Sequence, residues 1–167
     1  EETARIAIQA AMTGHLVLTS IHTNDAPSAL TRLNDMGVPP YITSSALLGA
    51  VAQRLVRVLC PECKEPAAVT RERLLIAGFS EAEADTVKPM KAVGCPECSR
   101  TGYRGRSGVF EVMEFTEELS ALFIQNAASE ELHRAAVAQG MRPLRRAALD
   151  KVAAGITTIE EIDRVVV

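Results

Sequence analysis

The sequence predicts an α/β protein in three consecutive parts: a layered α/β segment over residues 1–59, a cysteine-stapled module over 60–102 and a helical segment over 103–167. Three observations carry this. Apolar residues recur at helical spacing along much of the chain, interrupted by short β-branched runs. All four cysteines fall in two matching knuckles, Cys60-Pro-Glu-Cys63 and Cys95-Pro-Glu-Cys98. Hydrophobic residues make up 47% with only 4% aromatic and no Trp, the composition of a helix-rich globular fold. At 167 residues the chain can bury a real core. Its formal net charge is -3, and acids equal or outnumber bases in each of the three parts, so there is no basic footprint, which argues against dedicated nucleic-acid binding. No apolar run is long enough to cross a bilayer.

Glu2 to Thr13 sets Ile6, Ala7, Ala10 and Ala11 on one helical stripe, with Gly14 as a stop. Because the sequence opens at Glu1 without a methionine and already inside this pattern, it reads as a piece of a longer protein. Leu16-Val-Leu-Thr-Ser-Ile21 has the character of a strand buried on both faces. Pro27 opens a second helix through Leu30, Leu33 and Met36, and a third, rich in small residues, is expected over 41–53. Leu55–Leu59 reads as a strand leading into Cys60.

The end of the Leu16–Ile21 run carries His22-Thr-Asn-Asp25. In layered α/β folds ligands gather at the carboxyl ends of strands, so this cluster can bind a phosphate or a catalytic water. The same residues can equally form a turn and a helix cap, since Asn and Asp before Ala-Pro are ordinary capping chemistry. His15 has the weaker claim by spacing.

The two CPEC knuckles are metal chemistry. CxxC lets two thiolates from one tight turn reach one ion, and two such turns supply the four soft donors of a structural Zn²⁺ site at Cys60, Cys63, Cys95 and Cys98. Such a closed site leaves no position for water. Pro61 and Pro96 stiffen the turns and Gly94 frees the backbone before the second. Arg54, Arg57, Lys64, Arg100 and Arg104 are placed in sequence to offset the thiolate charge. Between the knuckles, Thr70–Ile76 and a capping box at Ser80-Glu-Ala-Glu83 form an insert. A redox-active thiol pair is the rival reading.

After the second knuckle, Tyr103–Gly108 reads as a solvated Gly/Arg loop and Val109–Met113 as a strand. Apolar stripes then mark helices through Leu119 and Phe123, Leu132 and Ala136, Leu144, Leu149 and Val152, and Ile159 and Ile162. Thr158-Ile-Glu-Glu161 is a capping box. His133 is a helix-surface residue, and Arg142, Arg145 and Arg146 form a solvated or protomer-contacting basic face.

Thr13-Gly-His-Leu-Val-Leu-Thr-Ser-Ile-His-Thr-Asn-Asp25 resembles the histidine box of the secretion ATPase superfamily, the hexameric motors of type II secretion, type IV pili and type IV secretion. Glu2-Thr-Ala4, Asn34-Asp-Met-Gly-Val38, Ala52-Gln-Arg-Leu55, the GYRGRxGxxE pattern beginning at Gly102, Gly140–Leu144 and Gly155–Glu161 are similar to further family segments. The resemblance implies the trailing part of a RecA-like P-loop ATPase domain, with a tetracysteine zinc module and a C-terminal helical subdomain. It also implies that His22 faces the ATP γ-phosphate, with His15 supporting the loop. The tetracysteine module narrows the family to its secretion and pilus-assembly branches. By the same resemblance the longer protein binds ATP and Mg²⁺, forms a homo-hexamer, docks on inner-membrane platform proteins and is cytoplasmic, peripheral to that membrane. The sequence holds no GxxxxGK[ST] loop, so this stretch alone is expected to be inactive. The alternative is a stand-alone zinc-stapled interaction module without nucleotide chemistry.

Overall fold

The computed structural model describes residues 2–166; Glu1, with which the first helix pattern opens, and Val167 lie outside the described residues. In chain order the elements are α1 (Glu2–Met12), α2 (Ser28–Asp35), α3 (Pro40–Ala46), β1 (Gly49–Leu59), β2 (Glu65–Pro66), α4 (Arg71–Ala77), α5 (Glu81–Ala84) and β3 (Met90–Lys91). A 3₁₀ turn at Pro96–Cys98 leads to β4 (Tyr103–Glu114), then α6 (Glu117–Ile124), α7 (Ser129–Ala138), α8 (Leu144–Ala153) and α9 (Ile159–Val165). β1 pairs with β4, and the short β2 pairs antiparallel with β3. The chain divides into two compact units: one takes everything up to Ala52 with Glu111–Arg142, the other Gln53–Phe110 with the chain from Pro143 onward.

In the first unit α3 packs against α1 and α6, and α6 against α7. Its core is built from Leu30, Val38, Met113, Leu119, Phe123, Leu132 and Ala136. The ring of Phe115 meets that of Phe123 edge-on, centroids 6.3 Å apart. α1 follows the predicted stripe yet buries none of its residues, and Ile6 stays exposed. The strand expected over 16–21 is not formed: among the described residues the segment pairs with no strand, and Leu16 and Leu18 are 76% and 89% exposed. β propensity holds a segment in a sheet only where a neighbouring strand takes up its N–H and C=O groups and a facing layer covers its side chains. The helix expected over 41–53 ends at Ala46, and β1 begins at Gly49. A Cβ at Gly49 would stand 2.6 Å from the Met113 carbonyl oxygen, so glycine permits an approach that no other residue allows.

In the second unit β4 is longer than expected, because Tyr103–Gly108 belongs to the strand rather than to a loop. The Thr70 side chain caps α4, and Ser80 and Glu83 close a full capping box on α5. The basic face expected at Arg145 and Arg146 is not free. Arg145 donates to the Ala77 carbonyl at 2.8 and 3.0 Å and to Asp163 at 2.6 Å, and Arg146 pairs with Glu83. Arg73 joins the same Asp163. These arginines fasten α8 and α9 to the insert, satisfying the C-terminal carbonyl of α4 as they do so.

Glu161 is the central ion of this unit. Thr158 Oγ1 accepts the Glu161 N–H at 3.1 Å, which is half of the predicted capping box. The Glu161 carboxylate does not complete the box. It accepts the Arg57 N–H at 3.0 Å, the Arg57 guanidinium at 2.7 and 2.9 Å, and Arg164 at 2.8 Å. The Arg57 guanidinium also lies 4.0 Å from the centre of the Tyr103 ring, whose hydroxyl meets Thr158 Oγ1 at 3.1 Å. Burial by itself pushes this carboxyl up, but the bonds from Arg164 and Arg57 prevail and hold it at about 2.

A carboxylate held below its ordinary value of 4.5 stabilises the fold fully above that pH, and the contribution is lost as pH falls toward 2. Glu161→Gln removes the charge but keeps the shape. It should lower stability at neutral pH by about 1–3 kcal/mol and flatten the acid limb of the stability curve between those two pH values. Chemical unfolding at several pH values checks this. Superimposable curves for variant and parent would contradict it.

Candidate functional site

The first cluster of interest is the turn after Leu16–Ile21. His15 is drawn back onto the end of α1: its Nδ1 lies 3.1 Å from Thr13 Oγ1 and 3.3 Å from the Ala10 carbonyl oxygen, while Thr13 Oγ1 donates to that oxygen at 2.8 Å. Its ring closes a helix end. His22 is exposed, and among the described residues its imidazole has no hydrogen-bond partner. The structure therefore does not bring the two histidines together through any hydrogen bond.

The turn beyond His22 is closely tied. Thr23 Oγ1 donates to the Asp25 carbonyl at 3.0 Å, and Asp25 Oδ1 accepts the Ser28 N–H at 2.8 Å, which caps the entry to α2. The capping reading of these residues therefore holds for Asp25. Ala26, only 2% exposed, donates its N–H to Oε1 of Glu111 at 2.7 Å. Glu111 comes from β4 and is 1% exposed. In the sequence it is the closing acid of the GYRGRxGxxE pattern that begins at Gly102, where sequence reasoning attaches no role to it. Strand phase supplies the role, because Glu111 lies between Val109 and Met113 on the face that β4 turns inward.

The second cluster is the meeting of the knuckles. The sulfurs of Cys60, Cys63, Cys95 and Cys98 all lie within 4.8 Å of one another. Three of the separations are 3.9 Å (Cys60–Cys95), 3.8 Å (Cys63–Cys98) and 3.8 Å (Cys95–Cys98). Four sulfurs about 2.3 Å from one tetrahedral ion stand about 3.8 Å apart, the spacing of these three pairs, so the cluster suits one Zn²⁺. Cys60 and Cys98 are buried, Cys63 and Cys95 partly so.

Backbone geometry explains the convergence. Cys63 and Lys64 fold back on the Cys60 carbonyl, Cys98 and Arg100 on that of Cys95, and the Cys60 N–H is held by Gly102 at 2.9 Å. Gly94 is required twice over: its φ is +115°, and a Cβ there would fall 2.6 Å from the Arg100 carbonyl oxygen. N–H groups point at the sulfurs, from Gly94 to Cys63 at 3.3 Å and from Cys95 and Gly102 to Cys98 at 3.2 Å each. The Cys95 and Gly102 amides draw the Cys98 thiol down to about 6, whereas burial lifts Cys63 to about 11. Three of the five basic residues expected to offset thiolate charge have other partners: Arg57 bonds Glu161, Lys64 donates to the Gly155 carbonyl at 2.9 Å, and Arg104 stands 4.0 Å from Glu97. The N–H groups of Gly94, Cys95 and Gly102 supply donors to the sulfurs.

The family model for type II/IV secretion system proteins matches residues 1–164. A type IV pilus assembly ATPase of Acinetobacter baylyi is 45% identical over 99% of this chain and 28% of its own length. A type II secretion system ATPase of Vibrio cholerae is 44% identical over 98% of the chain and 32% of its own. A type IV pilus assembly ATPase of Myxococcus xanthus is 45% identical, with 96% and 29% covered. The chain spans less than a third of the length of these relatives.

The sulfur geometry makes a quantitative demand. Protein produced with zinc available should carry one ion per chain by elemental analysis, and Co²⁺ in its place should give the visible spectrum of a tetrahedral tetrathiolate. Gly94→Ala should weaken metal retention against a chelator although it removes no ligand. Metal-free protein with two readily alkylated thiols would contradict the assignment.

Proposed function

Because the chain belongs to the type II/IV secretion system protein family, we propose that it acts as the trailing segment of a hexameric, ATP-driven motor for type II secretion or type IV pilus assembly. The observation that carries this is the match, along nearly the whole chain, to relatives named as ATPases of those two systems. On this reading residues 1–59 belong to a RecA-like ATPase core, 60–102 form the zinc module and 103–167 the helical subdomain. The phosphate loop, ATP and Mg²⁺ are held mainly by residues outside this stretch, and the partners are further copies and inner-membrane platform proteins. No helix among the described residues is long and apolar enough to cross a membrane, which suits a motor working on the cytoplasmic side of the inner membrane.

His22 is assigned the part of γ-phosphate sensor, with His15 securing the loop. Its imidazole is exposed and, among the described residues, has no hydrogen-bond partner, while hydrogen bonds from Thr23, Ala26 and Ser28 tie the turn that follows it. A pre-oriented donor of this kind contributes most where phosphate charge changes during hydrolysis. Leu16 and Leu18 fit the same picture. Left in water here, they would be covered when Leu16–Ile21 joins a sheet completed by the rest of the motor.

Cys60, Cys63, Cys95 and Cys98 would hold a structural Zn²⁺. That ion cross-links the two knuckles and, with four sulfurs on it, offers no open position for chemistry. Every donor in the site comes from the second unit, so the module can form without nucleotide.

Turnover tests the reading. An ATPase that includes this segment together with a phosphate loop should lose on the order of a hundredfold in kcat on His22→Ala, and residues 1–167 alone should show no hydrolysis. Unchanged turnover in that variant, or hydrolysis by the isolated segment, would sink it and favour a stand-alone zinc-stapled module.

A further inference from the structure

We propose that Glu111 is a positioning residue for His22, holding from beneath the turn on which the imidazole is carried. This rests on the assignment of His22 as the phosphate sensor, and it adds a residue 85 positions away from Ala26 to that machinery. Ala26, four residues after His22, is buried beside Pro27 and Leu30. Its N–H cannot turn to water, and its acceptor is the Glu111 carboxylate at 2.7 Å. That oxygen also lies at the entry to α2, where negative charge is favourable. Asp25 and Thr23 tie the turn only to itself and to α2. Glu111 ties it to β4. Removing the carboxylate leaves a buried N–H without its acceptor, and the turn must move to find another. His22 moves with it, and displacements near one ångström at a reacting centre can cost about a hundredfold in rate.

A glutamine at this position can still accept the Ala26 N–H through its amide oxygen, whereas alanine cannot. The test uses the complete ATPase that includes this segment, with Glu111→Ala, Glu111→Gln, His22→Ala and the Glu111→Ala/His22→Ala double variant. Hydrogen exchange read by mass spectrometry should rise in peptides covering 22–30 for Glu111→Ala and much less for Glu111→Gln. Peptides covering 53–66 should not change. Turnover should fall on the order of ten- to a hundredfold in Glu111→Ala with KM for ATP kept, recover substantially in Glu111→Gln, and fall no further when Glu111→Ala is added to His22→Ala.

Unchanged exchange over 22–30 in Glu111→Ala overturns the proposal. So does a loss that multiplies independently with that of His22→Ala. If His22→Ala alone leaves turnover intact while the turn loosens in Glu111→Ala, the sensor assignment falls and the hold of Glu111 on the turn stands. Lost zinc and raised exchange throughout Glu111→Ala would mark a folding defect, and the Glu111→Gln profile then decides: parent-like exchange over 22–30 with kcat reduced more than tenfold would overturn the proposal.

Discussion

The carboxylate of Glu111, closed off from water, meets the N–H of Ala26 and so joins β4 to the entry of α2 in the first unit. Removing a carboxylate from water carries a penalty of several kcal/mol, which the fold recovers only through well-placed donors. β4 supplies the acid in its inward phase, and the entry to α2 supplies the donor, with Ala26 and Leu30 buried around it. The turn that results has little freedom at its base, while the histidine that precedes it faces solvent.

The second unit obeys the same constraint with different residues. Glu161 is buried and draws on the Arg57 backbone as well as on two guanidinium groups. The knuckle sulfurs draw on the amides of Gly94, Cys95 and Gly102. By contrast, the pairs Arg71–Glu81, Arg71–Asp85 and Lys91–Glu65 are well exposed, and such pairs are worth about 0–1 kcal/mol. In the second unit the buried Glu161 therefore counts for more than these surface pairs.

What could be read from the sequence was mostly local. The knuckles, the Ser80–Glu83 box, the Thr158 cap and the helical stripes around Leu119, Leu132, Leu149 and Ile162 are short-range patterns, and the structure forms them. Features that depend on distant parts of the chain were not legible. Leu16–Ile21 has strand composition but no neighbour among the described residues. The third helix stops at Ala46 and the chain enters β1 at Gly49, close against the Met113 backbone of β4, a pairing that no local pattern announces. Arg145 and Arg146 look like a solvated face until Ala77, Glu83 and Asp163 are placed beside them. At the candidate site the four cysteines were evident from spacing and His22 from resemblance. Glu111 stood in the sequence as the last residue of the GYRGRxGxxE pattern, and only the phase of β4 marks it as a buried acid.

As proposed, the motor keeps a stiff turn beneath one exposed imidazole, and a separate cysteine module braces the second unit. The claim at the centre is that His22 distinguishes a nucleotide with its γ-phosphate from one without. The most direct measurement is the ¹⁵N chemical shift of the His22 ring in the complete ATPase, with a non-hydrolysable ATP analogue and then with ADP. The imidazole resonances should change with the analogue and stay unchanged with ADP. Identical His22 resonances in the two states would contradict it.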